Sequence, residues 1–184
     1  MKKYIFALPI FILPYIVLGA IYCTYTGFLM DSVFHSHGLI LLFWVNIIYF
    51  IGFIYSVIYA FTGLFKKDKS LEMIKMNMII KLVHIPAYII IFLLGLLLLI
   101  TIFTMAASFY FIFVDGLTIF CSGLIGFVAI LKGTKENKVD KQKFIKYSIL
   151  QFVYCFDIFY AVHVFRQSKK ISNESILKKK ILFE

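Results

Sequence analysis

Apolar residues form long runs in this chain, and polar or charged residues are confined to short segments between the runs. Two stretches, residues 4–65 and 82–131, contain no lysine or arginine. A membrane-spanning helix needs about 20 predominantly apolar residues, so each stretch is long enough for two spans joined by a turn. The pattern therefore predicts four spans, which are listed here by residue number: about 4–22, 39–64, 86–107 and 110–131.

The composition excludes a water-soluble fold. Hydrophobic residues make up 62% of the chain and charged residues 15%, whereas soluble domains are about 45–50% apolar and about 25% charged. In lipid, helices satisfy their own backbone hydrogen bonds, so we expect an all-α, up-down four-helix bundle. The prediction is one membrane domain at residues 1–165, followed by a basic cytoplasmic tail at 166–184.

The basic residues indicate how the chain is oriented. The 19 lysines and arginines fall only at residues 2–3, 66–81, 132–146 and 166–180. Basic segments next to spans are retained in the cytoplasm, so both termini are predicted to lie inside. The net charge of +10 then reflects topology and attraction to anionic lipid headgroups, not nucleic-acid binding. Abundant Lys, Ile, Phe and Tyr favour a bacterial cytoplasmic membrane.

Two segments are predicted to lie on the cytoplasmic membrane surface. The first is a short amphipathic helix at about residues 71–78, after which Pro86 predicts a bend near His84. The second is an interfacial helix at about 147–165, which places Asp157 at the membrane interface. A fifth span here would carry the basic tail to the outside, against the charge pattern.

Small residues recur every four positions on two predicted spans. Such residues let helix backbones approach closely, so both faces are predicted to pack against other helices. The second span carries Gly52, Ser56 and Ala60, and the fourth carries Thr118, Ser122 and Gly126.

The role of Asp115 depends on where the third and fourth spans are joined. If the turn lies at residues 106–108, Asp115 falls inside the fourth span, where an ionisable residue suggests a transport path. If the turn lies at Asp115-Gly116, Asp115 is an interfacial turn residue, and the Asp-Gly pair favours this alternative. Thr101, Thr104 and Ser108 would form a weakly polar face of the third span beside the path.

The predicted outer loop contains a possible metal site. Asp31, His35 and His37 are ligand types that zinc or copper accepts. A His-x-His pair is common by chance in polar loops, however, and no fourth protein ligand is assured. The three cysteines are isolated and form no Cys-x-x-Cys pair. No cofactor is predicted.

The sequence lacks the common catalytic motifs, so an enzyme is the less expected function. Our first hypothesis is a non-catalytic accessory, assembly or immunity-type protein that binds another membrane protein or a second copy of itself. The first alternative is a small oligomeric transporter or channel that uses Asp115. The second is an outer-face metal-binding protein or enzyme that uses Asp31, His35 and His37.

Overall fold

The computed structural model describes residues 2–27, 38–65, 70–100 and 102–183, and within them the chain is all-α. Two short 3-10 turns, Ile102–Thr104 and Lys141–Lys143, precede the fourth and fifth helices. The six helices are α1 (Lys2–Thr26), α2 (Gly38–Phe65), α3 (Ser70–Leu98), α4 (Met105–Lys135), α5 (Phe144–Ile149) and α6 (Phe156–Phe183).

Helices α1 to α4 are long and apolar enough to cross a membrane, with mean hydropathies of 2.1 to 2.3 over their most apolar segments. Many of their large apolar side chains are exposed, such as Phe43, Phe50 and Phe92. Such exposure suits lipid as the surrounding solvent and would be unfavourable in water. The prediction of an all-α chain with four such helices is confirmed.

Helix α3 differs from its predicted form. The expected surface helix at 71–78 and the third span are one continuous helix, and Pro86 lies inside it. Ile80, His84 and Ala87 are all fully buried on one face of α3. Packing of this face on both sides of the proline outweighs the local preference of a pre-proline residue for extended geometry.

The described residues that join α3 and α4 are 99–100 and 102–104, so the connection comes earlier than either predicted turn position. The Thr104 hydroxyl donates to the carbonyl of Leu98, the last residue of α3, at 2.6 Å. Ser108, in the first turns of α4, donates to Gly95 O at 2.8 Å. The first bond satisfies a carbonyl at the end of α3, and the second adds to the bond that Gly95 O accepts from Leu99 N. Because α4 begins at Met105, Asp115 lies within it.

The C-terminal region also departs from the prediction. The expected helix at 147–165 is divided into α5 and α6 by a turn at residues 150–155, in which Cys155 adopts a left-handed conformation with φ of 62°. The expected tail at 166–184 is helical as far as Phe183. Helix α6 is not among the four candidate spans. Its buried residues, Asp157, Ala161, Val164 and Ser168, form one narrow stripe.

Contacts divide the chain into two units. The first consists of Met1–Tyr55 and Val83–Thr118, and within it His84 Nε2 lies 2.9 Å from the carbonyl of Ile10. The second consists of Ser56–Leu82 and Ile119–Glu184. The core of the second unit is formed by Ile74, Ala129, Ile130, Val139, Tyr147 and Val164.

The start of α3 is capped by an acidic residue from beyond the end of α4. Glu136 accepts from the Ser70 hydroxyl at 2.7 Å and from the Ser70 backbone N–H at 3.2 Å, and Lys138 donates to it at 2.9 Å. Burial raises the pKa of Glu136, but the hydrogen bonds from Lys138 and Ser70 and the charge of Lys138 outweigh it and hold the pKa below its ordinary value.

We predict that Glu136→Gln destabilises the protein by about 1 kcal/mol at pH 7, the usual contribution of a helix N-cap. Because the pKa of Glu136 is lowered on folding, its contribution is fully present above the unfolded-state pKa and is lost as pH falls through the folded-state pKa. The difference in the free energy of unfolding between wild type and Glu136→Gln should therefore hold at neutral pH. It should vanish in acid, once the pH is below the lowered pKa of Glu136.

The measurement is unfolding in detergent micelles from pH 7 to pH 3. Glu174→Gln changes an exposed glutamate on α6 and serves as the control, with no expected loss of stability. A Glu136→Gln defect that persisted unchanged at pH 3 would contradict the carboxylate cap.

Candidate functional site

An ion pair lies in the interior of the second unit. Lys81 Nζ is 2.8 Å from Asp157 Oδ2, and the two side chains are 0% and 1% exposed. Lys81 projects from α3, which is one of the candidate spans, and Asp157 from the first turn of α6. Ionisable residues inside a membrane domain are expensive to bury and commonly functional, so this pair is the centre of the candidate site.

All three protons of the Lys81 ammonium have an acceptor within reach. Besides Asp157, Lys81 Nζ donates to the backbone carbonyl of Gln151 at 3.0 Å and approaches Ser122 Oγ at 3.5 Å. The acceptors come from α4, from the turn between α5 and α6, and from α6. One lysine thus joins four successive parts of the second unit.

Asn77 extends the site by one turn of α3, because residues four apart lie on the same helical face. Its Nδ2 donates to Gln151 Oε1 at 3.0 Å. Gly126 on α4 makes room for this amide pair: a Cβ there would overlap Gln151 Oε1 and lie 2.9 Å from Asn77 Nδ2. Asn77, Lys81, Ser122, Gln151 and Asp157 are hereafter called the polar cluster.

The turn between α5 and α6 aims two members of the cluster at Lys81. Gln151 N bonds Ser148 O at 3.3 Å, closing the last turn after α5, and its own carbonyl is left to accept from Lys81. The Asp157 backbone N–H donates to Val153 O at 2.9 Å. Asp157 is thereby held in the first turn of α6, where it is the acidic residue. A carboxylate there also interacts favourably with the helix dipole.

Three buried atoms of the polar cluster have no hydrogen-bond partner among the described residues. They are Asn77 Oδ1, Gln151 Nε2 and Asp157 Oδ1. A buried polar atom without a partner costs about 1–3 kcal/mol, and such atoms are usually satisfied by water or a ligand. The cluster therefore has two acceptors and one donor free to bind a small polar species.

The predicted packing residues of the second span lie in α2. Ser56 and Ala60 are buried, with exposures of 0% and 3%. A Cβ at Gly52 would lie 2.5 Å from Leu13 Cδ1, so α1 approaches α2 closely at that point. These residues lie where close helix packing places small side chains.

The predicted packing residues of the fourth span share one face of α4 with Asp115. Thr118 and Ser122 are fully buried, and Gly126 faces the polar cluster. Asp115 is 7% exposed and precedes Thr118 by three residues. The favoured interpretation of Asp115 as an interfacial turn residue is wrong, because the chain turns before α4 begins and the Asp-Gly pair falls inside a helix.

Of the remaining predicted residues, the structure describes Thr104 and Ser108. Thr104 and Ser108 belong to the turn before α4 and to α4 itself, not to a polar face of the third span. Thr101 and the three proposed metal ligands, Asp31, His35 and His37, lie outside the described residues. Within the described ranges no group of three or more His, Cys, Asp or Glu side chains could hold a metal ion.

The sequence pattern did not single out Lys81 or Asn77 as site residues, and it placed Asp157 at the interface. Lys81 falls in the basic segment at 66–81, although five residues separate it from Lys75 and its neighbours Ile80 and Leu82 are apolar. That apolar setting was the available signal, because a lysine bordered by a span needs a partner.

We predict that Lys81→Met and Asp157→Asn each destabilise the protein by about 3–5 kcal/mol, because each leaves the partner charge buried and unpaired. The double variant Lys81→Met/Asp157→Asn should recover most of the loss. A double-mutant cycle of unfolding in mixed micelles measures the coupling. Lys75→Met, at an exposed lysine on the same helix, is the control. If the stability losses of Lys81→Met and Asp157→Asn simply added in the double variant, the Lys81–Asp157 ion pair would be contradicted.

We also predict that Gly126→Ala separates the amides of Asn77 and Gln151 and lowers stability by about 1–3 kcal/mol, as overpacking does. Gly116→Ala is the matched control on α4, because a Cβ there meets nothing within 4 Å. The control should be neutral or stabilising, by up to about 1 kcal/mol, since alanine favours helix. If Gly126→Ala and Gly116→Ala changed the thermal stability equally, the close approach of Gly126 to the amides of Asn77 and Gln151 would be contradicted.

Comparison with protein-family models, known protein sequences and solved structures finds no match to this chain. The assignment of a function therefore rests on the polar cluster and its setting among apolar helices.

Proposed function

We propose that this chain is a multi-pass protein of a bacterial cytoplasmic membrane, with both termini inside, and that it is a small transporter or channel that moves protons. The observation that carries the proposal is the fully buried Lys81–Asp157 pair with unfilled polar atoms beside it. Buried ionisable pairs in membrane domains commonly mark proton relays and ion pathways. This proposal extends the transport alternative based on Asp115.

The position of Lys81 along α3 suits a relay in the cytoplasmic half of the membrane. Lys81 is eleven residues after Ser70, which is about 16 Å along a helix. With the basic segment before α3 on the inside, as the charge pattern predicts, the polar cluster lies in the cytoplasmic half of the membrane. The turn between α5 and α6 then covers it from that side.

A proton is the species that the charges of the cluster favour. Lys81 and Asp157 are jointly neutral as an ammonium and a carboxylate, and they stay jointly neutral if the proton moves from Nζ to the carboxylate. A metal cation entering beside Lys81 would add net positive charge to a buried site, which is unfavourable at low dielectric. Asp157 Oδ1 and Asn77 Oδ1 are unfilled acceptors that can receive a proton donor such as water.

Asp115 is a second buried ionisable residue of a candidate span. It lies in α4 and is 7% exposed. Buried carboxylates in membrane-spanning helices commonly serve as proton or ion sites, which supports the transport role proposed for Asp115.

We predict that the purified protein in liposomes carries protons inward when a potassium gradient with valinomycin makes the interior negative. A pH-sensitive dye inside the vesicles measures the flux. Lys81→Met/Asp157→Asn should reduce the flux at least tenfold, because it removes both groups between which the proton moves while leaving no unpaired charge. Asp115→Asn should also reduce it, and Lys75→Met should not.

Unfolding measured in parallel establishes that the compared variants are folded. Flux no greater than in protein-free vesicles, from protein that unfolds cooperatively, would exclude the proposal. So would a flux that the folded double variant leaves unchanged.

The non-catalytic partner hypothesis remains the second candidate, and α6 favours it. Among the described side chains of α6, the buried ones run from Asp157 to Ser168, whereas Lys169, Lys170 and Glu174 beyond them are exposed. Exposed charged side chains can pair with complementary charges of a partner outside the domain. An accessory, assembly or immunity-type protein would use this segment to bind another membrane protein or a second copy. The metal-site alternative stays a prediction.

A further inference from the structure

A cleft of about 490 Å³ lies in the second unit and shares no residue with the polar cluster. Its lining consists of Lys143, Lys146, Tyr147, Phe159, Tyr160 and His163. The residues come from the N-terminal end of α5 and from the second and third turns of α6. The proton-transfer proposal uses none of these side chains.

One side of the cleft is basic. Lys143 and Lys146 are three residues apart, so their ammonium groups reach the same side of the helix, and both are exposed. Lys146 Nζ lies 6.0 Å from the centroid of the Tyr160 ring, within range of a cation–π contact. Asp140 Oδ2 lies 4.0 Å from Lys143 Nζ and partly offsets that charge. One positive charge of this group is left uncompensated.

The other side of the cleft is aromatic and held in place. The Tyr147 hydroxyl donates to Gln167 Oε1 at 2.8 Å and lies 3.3 Å from His163 Nε2. Burial, with smaller effects of Asp140 and Tyr160, raises the pKa of Tyr147, so the hydroxyl keeps its proton. The rings of Tyr147, Tyr160 and His163 lie 5.8 to 6.2 Å apart. The cleft is therefore preorganised.

Large apolar side chains are exposed beside the basic side. Ile145 and Ile149 are 68% and 60% exposed and lie on the face of α5 next to Lys146, and Phe159 at the cleft itself is 73% exposed. Side chains of this size are unfavourable in water, whereas an interfacial helix inserts them between acyl chains while its lysines face the headgroups. Basic and apolar surfaces adjoin here as phosphate and acyl chains do in a phospholipid.

We propose that this cleft binds the phosphate group of an anionic phospholipid. The ammonium groups of Lys143 and Lys146 contact the phosphate oxygens, and Ile145, Ile149 and Phe159 contact the acyl chains. This is a discrete site with its own lining, in addition to the general attraction of basic loops for an anionic membrane. The apolar side chains favour a lipid over a soluble phosphate, because a soluble ion leaves them in water.

The test is retention of dioleoyl phosphatidylglycerol by the full-length protein in detergent, measured by native mass spectrometry. Phosphatidylcholine is the zwitterionic comparison. Wild type should retain one phosphatidylglycerol preferentially, and Lys143→Gln/Lys146→Gln should weaken retention roughly tenfold or more. Lys169→Gln/Lys170→Gln removes the same charge from exposed positions on α6 outside the cleft and should change retention less than twofold.

Two outcomes would overturn the proposal. Equal loss of phosphatidylglycerol in the two double variants would mean that net charge, not the cleft, attracts the lipid. Displacement of the lipid by inorganic phosphate at equal concentration would assign the cleft to a soluble anion instead. Because Lys143 and Lys146 are exposed, both double variants should unfold as wild type does, and thermal unfolding checks this. A negative result in the lipid-retention test would not bear on the proton-flux experiment, because the cleft shares no residue with the polar cluster.

Discussion

The burial of Lys81 is the constraint on which the second unit depends. An ammonium group taken out of water and out of reach of headgroups is tolerable only if a carboxylate and further acceptors surround it. The chain meets this need with a turn between α5 and α6, which brings the Gln151 carbonyl and the Asp157 carboxylate to Lys81 Nζ. The division of the C-terminal region into two helices thus supplies two of the acceptors that the buried charge requires.

On the proposed function, the same cluster does more than hold the C-terminal helix in place. Its charges are paired, while Asn77 Oδ1, Gln151 Nε2 and Asp157 Oδ1 have no hydrogen-bond partner among the described residues. Buried polar atoms of this kind are usually satisfied by water or a ligand. A water bound to these atoms would stand beside the ion pair, where the proposed relay needs a proton donor and acceptor.

Hydropathy and charge were enough to predict the all-α class and the four long apolar helices, since the thickness of the bilayer sets helix length. They could not predict the pairing of Lys81 with Asp157, because these residues are 76 positions apart and no periodicity relates them. Local signals also failed where packing opposed them. Pro86 did not end a helix, because α3 continues through it. Asp115-Gly116 did not form a turn, because the pair lies inside α4.

The two proposed sites share the N-terminal end of α6. Asp157 and Phe159 are two residues apart in the first turns of α6, so the element that completes the ion pair also forms one wall of the cleft. If the protonation of the pair alters the position of α6, the affinity of the cleft for a headgroup changes with it. Linkage then requires the reverse effect of equal free energy, so that a bound anionic lipid biases the protonation of the pair. On this argument the lipid composition of the membrane regulates the relay through a helix common to both sites.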